Sequence, residues 1–181
     1  LEHDTYAVLG NHDQAIADAD AIAQILEDHG VTVLRNEHMQ VKVGDKEVTL
    51  AGVDDIWYTG DARKALEGLG DQEQPVILLA HNPDVILGIG KPLPADAFVS
   101  DKEPESVVDL VISGHTHGGQ IRLPFLGPVP PLPTALGRAY DKGLFSVYNT
   151  TQLFITVGVG ETGPRARLFN RPTIDLLHIT Y

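Results

Sequence analysis

The sequence predicts an α/β (α+β) fold of a single domain, and three observations support that prediction. Apolar, β-branched runs typical of buried strands alternate with segments of helical periodicity along the 181 residues. Two stretches alternate polar and apolar residues around turn signals, as β-hairpins do. Hydrophobic residues make up 43% of the chain, which is typical of a globular protein with a sizeable core.

The predicted elements follow one another in a mixed order. A strand over residues 5–10 precedes a helix from about residue 15 to residue 29, which Gly30 ends as a cap. The elements that follow are a strand over 31–34, a hairpin over 39–53, a short helix over 60–70, buried strands over 75–84 and 107–115, a second hairpin over 143–160 and a closing strand over 173–181. Proline-rich segments over 91–105 and 124–137 carry no regular pattern.

The composition excludes several partners and chemistries. The net charge of −12 comes from 13 basic and 25 acidic residues, so the chain repels polyphosphate backbones, which argues against nucleic acid as a partner. There are no cysteines, so any metal must be bound by imidazole, carboxylate or amide groups. No apolar run reaches the length of a membrane span and no signal peptide is visible, which leaves the localisation open.

Polar side chains that can bind metal follow three of the predicted buried strands. They are Asn11, His12 and Asp13 after the first strand, His81 after the second, and His115 and His117 after the third. Each group by itself also has a structural explanation, as a helix cap, a strand-to-turn residue or a polar turn. Folding does not require all three to share a position at strand ends, where α/β sheets collect their sites, so the sequence predicts a metal centre there.

Three motifs carry a resemblance to a known family. The sequences GNHD at residues 10–13, AHNPD at 80–84 and GHTHGGQ at 114–120 resemble motifs of the calcineurin-like metallophosphoesterases. The resemblance covers nearly the whole chain. The chain also resembles a bacterial subgroup of that family whose members often carry an N-terminal membrane anchor. It implies a four-layer α-β-β-α sandwich of two mixed sheets flanked by helices. It also implies hydrolysis of phosphomonoesters or phosphodiesters with two divalent ions, which could be Mn, Fe, Zn or Ni.

The resemblance implies a role for each motif residue. The ligands of the second metal ion would be Asn11, His81 and His115. His117 would bind the first ion. His12 would donate a proton or a hydrogen bond to the leaving oxygen of the substrate, and Asp13 would orient the His12 imidazole.

Three further residues are candidates for substrate binding. Gly118 and Gly119 could let the backbone approach the metals or the substrate, or they could form a plain turn. Arg122 could clamp a phosphate, or it could be a surface charge on a strand. The apolar segment 124–133 could shape a pocket for a lipid-like substrate, touch a membrane, or pack on the core. The expected substrate is therefore a phosphate-ester small molecule or a lipid-like phosphate.

The sequence departs from the family pattern ahead of residue 10. Family members carry an Asp-x-His and then a Gly-Asp-x-x-Asp motif there, and neither is in this sequence. Those motifs supply two ligands of the first metal and the carboxylate that bridges both. We therefore expect residues 1–181 to form the C-terminal two-thirds or so of the family's catalytic domain, inactive or impaired alone, with one metal ion or none. An exposed sheet edge would favour self-association.

Two other functions stay open at this point. One is a non-catalytic fragment or pseudoenzyme that binds metal or phosphate, which the absent motifs favour. The other is a metallohydrolase of amide or ester bonds. That class would need an early His-x-His or a helical His-Glu-x-x-His, and the sequence contains neither.

Overall fold

The structure is a computed structural model that describes residues 3–16, 18–70, 72–87, 107–147 and 151–180. Its strands are β1 (Thr5–Ala7), β2 (Val31–Val33), β3 (Glu37–Val43), β4 (Lys46–Val53), β5 (Val76–Ala80), β6 (Leu110–Ser113), β7 (Arg122–Leu123), β8 (Gly127–Pro128), β9 (Gly143–Val147) and β10 (Thr151–Ile155). Its helices are α1 (Asn11–Ile16), α2 (Ala19–Asp28) and α3 (Ala62–Ala65), with a 3₁₀ turn at Pro83–Leu87. None of the helices in these ranges is long and apolar enough to cross a bilayer.

A six-stranded mixed sheet organises the molecule, in the order β3-β4-β5-β6-β10-β9. The four inner strands run parallel, and an antiparallel strand closes each side. The register pairs Val53 of β4 with Ala80 of β5, and Ser113 of β6 with Ile155 of β10. The carboxyl ends of the parallel strands therefore lie level with one another, and the residues that follow them meet at this end of the sheet.

The main core lies on one face of this sheet. Alternate residues of the inner strands point to this face, because successive strand residues point to opposite sides. Val53, Leu78, Val111 and Leu153 are each 4% exposed or less. Helix α3 covers them through Ala65, which is fully buried.

A second, smaller core joins α2 to the parallel pair β1-β2. Leu9, Ala23 and Val33 are buried in it. This unit packs against β4 at Gly52, where an added Cβ atom would lie 2.3 Å from the Leu34 Cβ. The close approach places the end of β1 beside the ends of β4 and β5.

The α/β class is confirmed, as are both hairpins and the strands β1, β5 and β6, although β1 is only half-buried. The predicted helix from residue 15 to residue 29 is wrong in its start. The chain forms two helices there, because the Asp18 side chain accepts hydrogen bonds from the backbone N–H groups of Asp20 and Ala21 and begins α2. The short helix is confirmed, with Asp61 accepting from the Lys64 N–H.

The predicted closing strand is wrong. Residues 173–180 form no strand, and the Ile174 and Leu176 side chains are 93% and 97% exposed. Alternating apolar residues predict which faces a strand would present, but a strand also needs a neighbour to bond with. The segment 91–105 and the hairpin turn at 149–150 lie outside the described residues.

The unpaired side of β1, in the small parallel sheet of the described residues, offers a place where a second copy of the chain could pair. Within the described ranges, β1 is paired only with β2, so its other side is free of strand partners. An open strand edge can pair with another chain. Self-association, the four-layer arrangement and the single-domain boundaries 1–181 stay predictions.

Candidate metal centre

Three of the predicted ligands meet beyond the carboxyl ends of the parallel strands. The Nε2 atom of His81 lies 3.0 Å from the Asn11 Oδ1 and 3.1 Å from the His115 Nδ1. The rings of His81 and His115 cross edge to face, with 5.0 Å between their centroids. The resemblance implies that these three side chains bind one metal ion, and the fold brings them together.

Backbone contacts fix His81 in place. Its carbonyl accepts a hydrogen bond from the Gly114 N–H over 3.0 Å, which continues the pairing of β5 with β6. The ring lies against Gly10, where an added Cβ atom would come within 2.9 Å of the His81 Nδ1. A glycine at position 10 is therefore needed for His81 to reach Asn11.

The loop after β6 holds its two histidines in a strained conformation. The backbone φ angles of His115 and His117 are 64° and 52°, in the left-handed region that side chains rarely adopt. The Thr116 side chain stabilises this loop, since its hydroxyl donates to the Asp141 carbonyl over 2.7 Å and accepts from the Gly118 N–H over 3.1 Å. Backbone strain of this kind clusters at functional sites.

His117 lies beside the three-residue group. Its Nδ1 is 3.0 Å from the Gly160 carbonyl oxygen, so its Nε2 is the ring atom left to bind a metal. The His117 carbonyl accepts a hydrogen bond from the Asn170 side chain over 2.7 Å, and Lys142 donates to the Asn170 Oδ1 over 2.8 Å. Sequence reasoning missed both of these supporting residues, which no strand-end motif contains.

His12 and Asp13 lie in the first turn of helix α1. The His12 side chain is exposed to solvent, as a residue that contacts substrate must be. The Asp13 Oδ2 accepts a hydrogen bond from the Gly10 N–H over 2.7 Å, which ties the helix to the preceding turn. This bond supports the capping explanation for Asp13, and its effect on the His12 imidazole stays a prediction.

Burial lowers the pKa of both buried imidazoles. The pKa of His81 falls from 6.5 to about 4, first because burial disfavours the charged ring and then because His115 is close. Burial also lowers the pKa of His115, although the nearby Pro133 backbone opposes the change. Positive charge on His117 and His12 also contributes to lowering both pKa values. Neutral imidazole is the form that binds metal.

Sequence reasoning missed Asp55, which joins this group. It follows β4, is 1% exposed, and has a carboxylate oxygen within 4.8 Å of a ring nitrogen of both His81 and His115. Burial raises the pKa of Asp55, while the Trp57 N–H, which donates to its Oδ1 over 2.9 Å, works against that rise. The signal available in the sequence was its position two residues after Val53, the last residue of the predicted hairpin at 39–53.

Trp57 lies over the site from the same turn. Its ring meets the His115 ring edge to face with 4.7 Å between centroids, while 47% of the residue stays exposed. It is the single tryptophan in the sequence, so its fluorescence reports on the surroundings of His115.

The donor set fits a divalent metal ion. The Asn11 oxygen and the two ring nitrogens all carry lone pairs at about hydrogen-bond distance. A single ring proton cannot make hydrogen bonds among the Asn11 Oδ1, the His81 Nε2 and the His115 Nδ1 at once. One cation between these three atoms could bind each of them. Imidazole together with amide or carboxylate oxygen suits Mn, Fe, Zn or Ni.

The two glycines after His117 make close contacts with protein atoms. A Cβ atom at Gly118 would lie 2.8 Å from the Val157 Cγ2, and one at Gly119 would lie 2.6 Å from Pro128. Both also have positive φ angles. These contacts account for both glycines by packing, and the predicted approach to substrate is not needed to explain them.

Segment 124–133 contains the turn and the second strand, β8, of a small hairpin whose first strand is β7. Phe125 and Leu126 at its tip are exposed, while Pro128 is buried against Gly119. The segment therefore packs on the loop of the metal centre at one end and presents apolar side chains to solvent at the other.

Arg122 is held by protein groups. Its Nη1 pairs with the Asp141 carboxylate and donates to the Gly118 carbonyl over 2.8 Å. The pair braces the loop that carries His117. The predicted contact between Arg122 and a substrate phosphate would have to compete with Asp141.

Replacing Arg122 by alanine is expected to destabilise the protein by about 2 kcal/mol, because it removes charged hydrogen bonds at partly buried groups. Urea unfolding measures the change, and Asp141→Asn should give a similar loss since it breaks the same pair. If Arg122 also binds phosphate, the KM for an anionic substrate rises in Arg122→Ala and not in Asp141→Asn. Equal KM values in the wild type, Arg122→Ala and Asp141→Asn would refute the contact between Arg122 and a substrate phosphate.

A comparison with known families decides which class of protein carries this centre. The model of the calcineurin-like phosphoesterases matches residues 2–119, which include all four predicted histidine and asparagine ligands. The chain belongs to the calcineurin-like phosphoesterase family. This is a family of metal-dependent hydrolases, and the mixed sheet with its site at the strand ends is consistent with that membership.

Several relatives of this calcineurin-like chain are known by sequence. The uncharacterized metallophosphoesterase YkuE of Bacillus subtilis is 31% identical over 171 residues, covering 93% of this chain and 54% of its own. Phosphodiesterase YaeI of Escherichia coli is 30% identical over 177 residues, covering 97% and 58%. A transmembrane protein with a metallophosphoesterase domain from Danio rerio is 33% identical over 181 residues, covering 94% and 37%. The chain thus spans roughly a third to three-fifths of these relatives. No solved structure matches the chain significantly.

Proposed function

We propose that the whole protein to which residues 1–181 belong hydrolyses phosphomonoesters or phosphodiesters with two divalent metal ions. The observation that carries the proposal is the convergence of Asn11, His81 and His115 at one sheet edge in a member of this family. These three residues would hold one ion, and His117 would contribute to the other. The relative from E. coli is named a phosphodiesterase, which favours diesters among the substrates to be tried first.

Each side chain has a distinct task in this proposal. The metal ions, when bound, would act as Lewis acids that neutralise charge on the phosphate and activate water. His12 is exposed at the start of α1, where its imidazole can donate a proton or hydrogen bond to the leaving oxygen. The low pKa of His81 keeps that ring neutral and free to bind metal at the pH of the cell.

Replacing His12 by alanine tests the chemical role. In the whole protein, turnover of bis-p-nitrophenyl phosphate with Mn²⁺ should fall by about 10²–10⁴-fold, because a positioned proton donor contributes that much. Metal binding measured by calorimetry should not change. His29→Ala is the matched control, since His29 is also exposed but lies at the far end of α2.

The same assay separates this proposal from its rival, a non-catalytic metal-binding chain. Hydrolysis that depends on Mn²⁺ and is lost in His12→Ala supports the phosphoesterase. In the whole protein, metal binding without hydrolysis of either a mononitrophenyl or a bis-nitrophenyl phosphate favours the rival. Failure to bind any divalent ion would overturn both.

A further inference from the structure

Asp55 lies beside the proposed metal ligands with half of its carboxylate unused. Its Oδ1 accepts the Trp57 N–H, and its backbone carbonyl accepts the N–H groups of Tyr58 and Gly60 over 2.9 and 3.0 Å. These bonds fully account for the tight turn after β4. The Oδ2 atom is buried and has no hydrogen-bond partner. The turn alone therefore does not explain why an aspartate, rather than an asparagine, occupies this position.

Burying a carboxylate oxygen without a partner costs free energy of folding unless a cation or a hydrogen-bond donor faces it. The arginine in this region faces another group: Arg35 bonds to Asp54, the preceding residue, through both its Nε and its Nη2 atoms. What does lie near Asp55 is the pair of imidazoles at the sheet edge, with one ligand atom from each residue within 4.8 Å of the others. These neighbours can share a cation with the carboxylate.

We propose that Asp55 is a ligand of the metal ion held by Asn11, His81 and His115. The proposal rests on the metal centre of the proposed function and extends it to a fourth side chain. Two imidazoles, one carboxylate and one amide oxygen form a complete set of protein ligands for a divalent ion. All four come from residues 11–115, so this chain by itself binds one divalent ion. The motifs alone predict one metal ion or none for residues 1–181, whereas four side-chain ligands predict one bound ion.

The position of Asp55 follows from the sheet order. Strand β4 is parallel to β5 and adjacent to it, with Val53 level with Ala80. Asp55 is the second residue beyond that level, and His81 is the first residue beyond it on the neighbouring strand. The ligand therefore comes from the strand next to the one that supplies His81.

The variant Asp55→Asn tests ligation with little risk to the fold. An asparagine keeps the oxygen that accepts the Trp57 N–H and removes only the charge and one lone-pair oxygen. The probes are Mn²⁺ and Co²⁺, added to the chelator-treated chain. We expect one ion per wild-type chain, quenching of Trp57 fluorescence on binding, and at least a tenfold higher Kd in Asp55→Asn. The visible absorption of bound Co²⁺, which depends on its ligands, should also change.

Asp54→Asn is the matched control. It removes the same charge one residue earlier, from a carboxylate that faces Arg35, and Arg35 keeps its second partner Asp20. Its Kd and its Co²⁺ spectrum should match those of the wild type. Melting in the absence of metal gives a second check, because Asp55→Asn should be no less stable than the wild type once the unpaired carboxylate is gone. The gain in melting temperature on adding metal should shrink.

Two results would overturn the assignment. An unchanged Kd in Asp55→Asn would show that the carboxylate has no part in binding. A weaker Kd with an unaltered Co²⁺ spectrum would place Asp55 outside the coordination shell. His81→Ala distinguishes these failures from failure of the metal centre itself: if His81→Ala loses the ion while Asp55→Asn keeps it, the proposed function stands without Asp55.

Discussion

Replacing His81 by alanine is expected to remove the bound metal ion and with it any metal-dependent hydrolysis. Its Nε2 touches both Asn11 and His115, so this ring links the other ligands. Residues that merely support a ligand typically contribute 10–100-fold to affinity, and we expect the loss of a ligand to reach about 100-fold or more. Titration calorimetry and elemental analysis after purification measure the effect.

Two other variants make this result interpretable. His115→Ala should give the same loss from the neighbouring strand end. His38→Ala should not, because the His38 ring contacts the Ala65 carbonyl of helix α3 and is not among the proposed ligands. Normal metal affinity in His81→Ala would refute the centre as described.

The metal-free protein is expected to lose about 3 kcal/mol of stability between pH 7 and pH 4 through His81. The folded state lowers the pKa of this ring from 6.5 to about 4. The unfolded chain therefore binds the proton first, and stability that is fully present above pH 6.5 is lost as the pH falls toward 4. The lowered pKa of His115 acts in the same direction.

Urea unfolding at several pH values, with chelator present, measures this loss. The raised pKa of Asp55 opposes it, since protonation of that buried carboxylate favours the folded state. His81→Ala isolates the histidine contribution, because its stability should depend less steeply on pH across this window. Identical slopes in the two proteins would contradict the account.

Much of the site could be predicted because strand ends are visible in the sequence. Apolar runs mark the buried strands, and the residues that follow β1, β5 and β6 include every ligand named in advance. Asp55 was missed for a specific reason. Strand β4 looks like the return strand of a hairpin, and nothing in its pattern reveals that its other side pairs in parallel with β5.

The errors in the fold have the same origin. Helical periodicity runs across the region of Asp18, but a local capping bond divides it into two helices. The residues near 173–180 have a strand pattern, yet none of the described strands pairs with them. Pairing partners and competing local bonds depend on the three-dimensional arrangement, which periodicity along one segment does not contain.

The left-handed backbone at His115 and His117 lowers the stability of the folded chain, while the side chains of both residues are proposed metal ligands. Each of these φ angles costs roughly 1 kcal/mol or more for a residue with a side chain, and glycine would avoid that cost. Glycine at both positions should therefore raise the melting temperature of the metal-free protein while removing two of its proposed ligands. Laboratory evolution of this chain for heat resistance alone would tend to erase the centre, so such a selection needs metal binding as a second criterion.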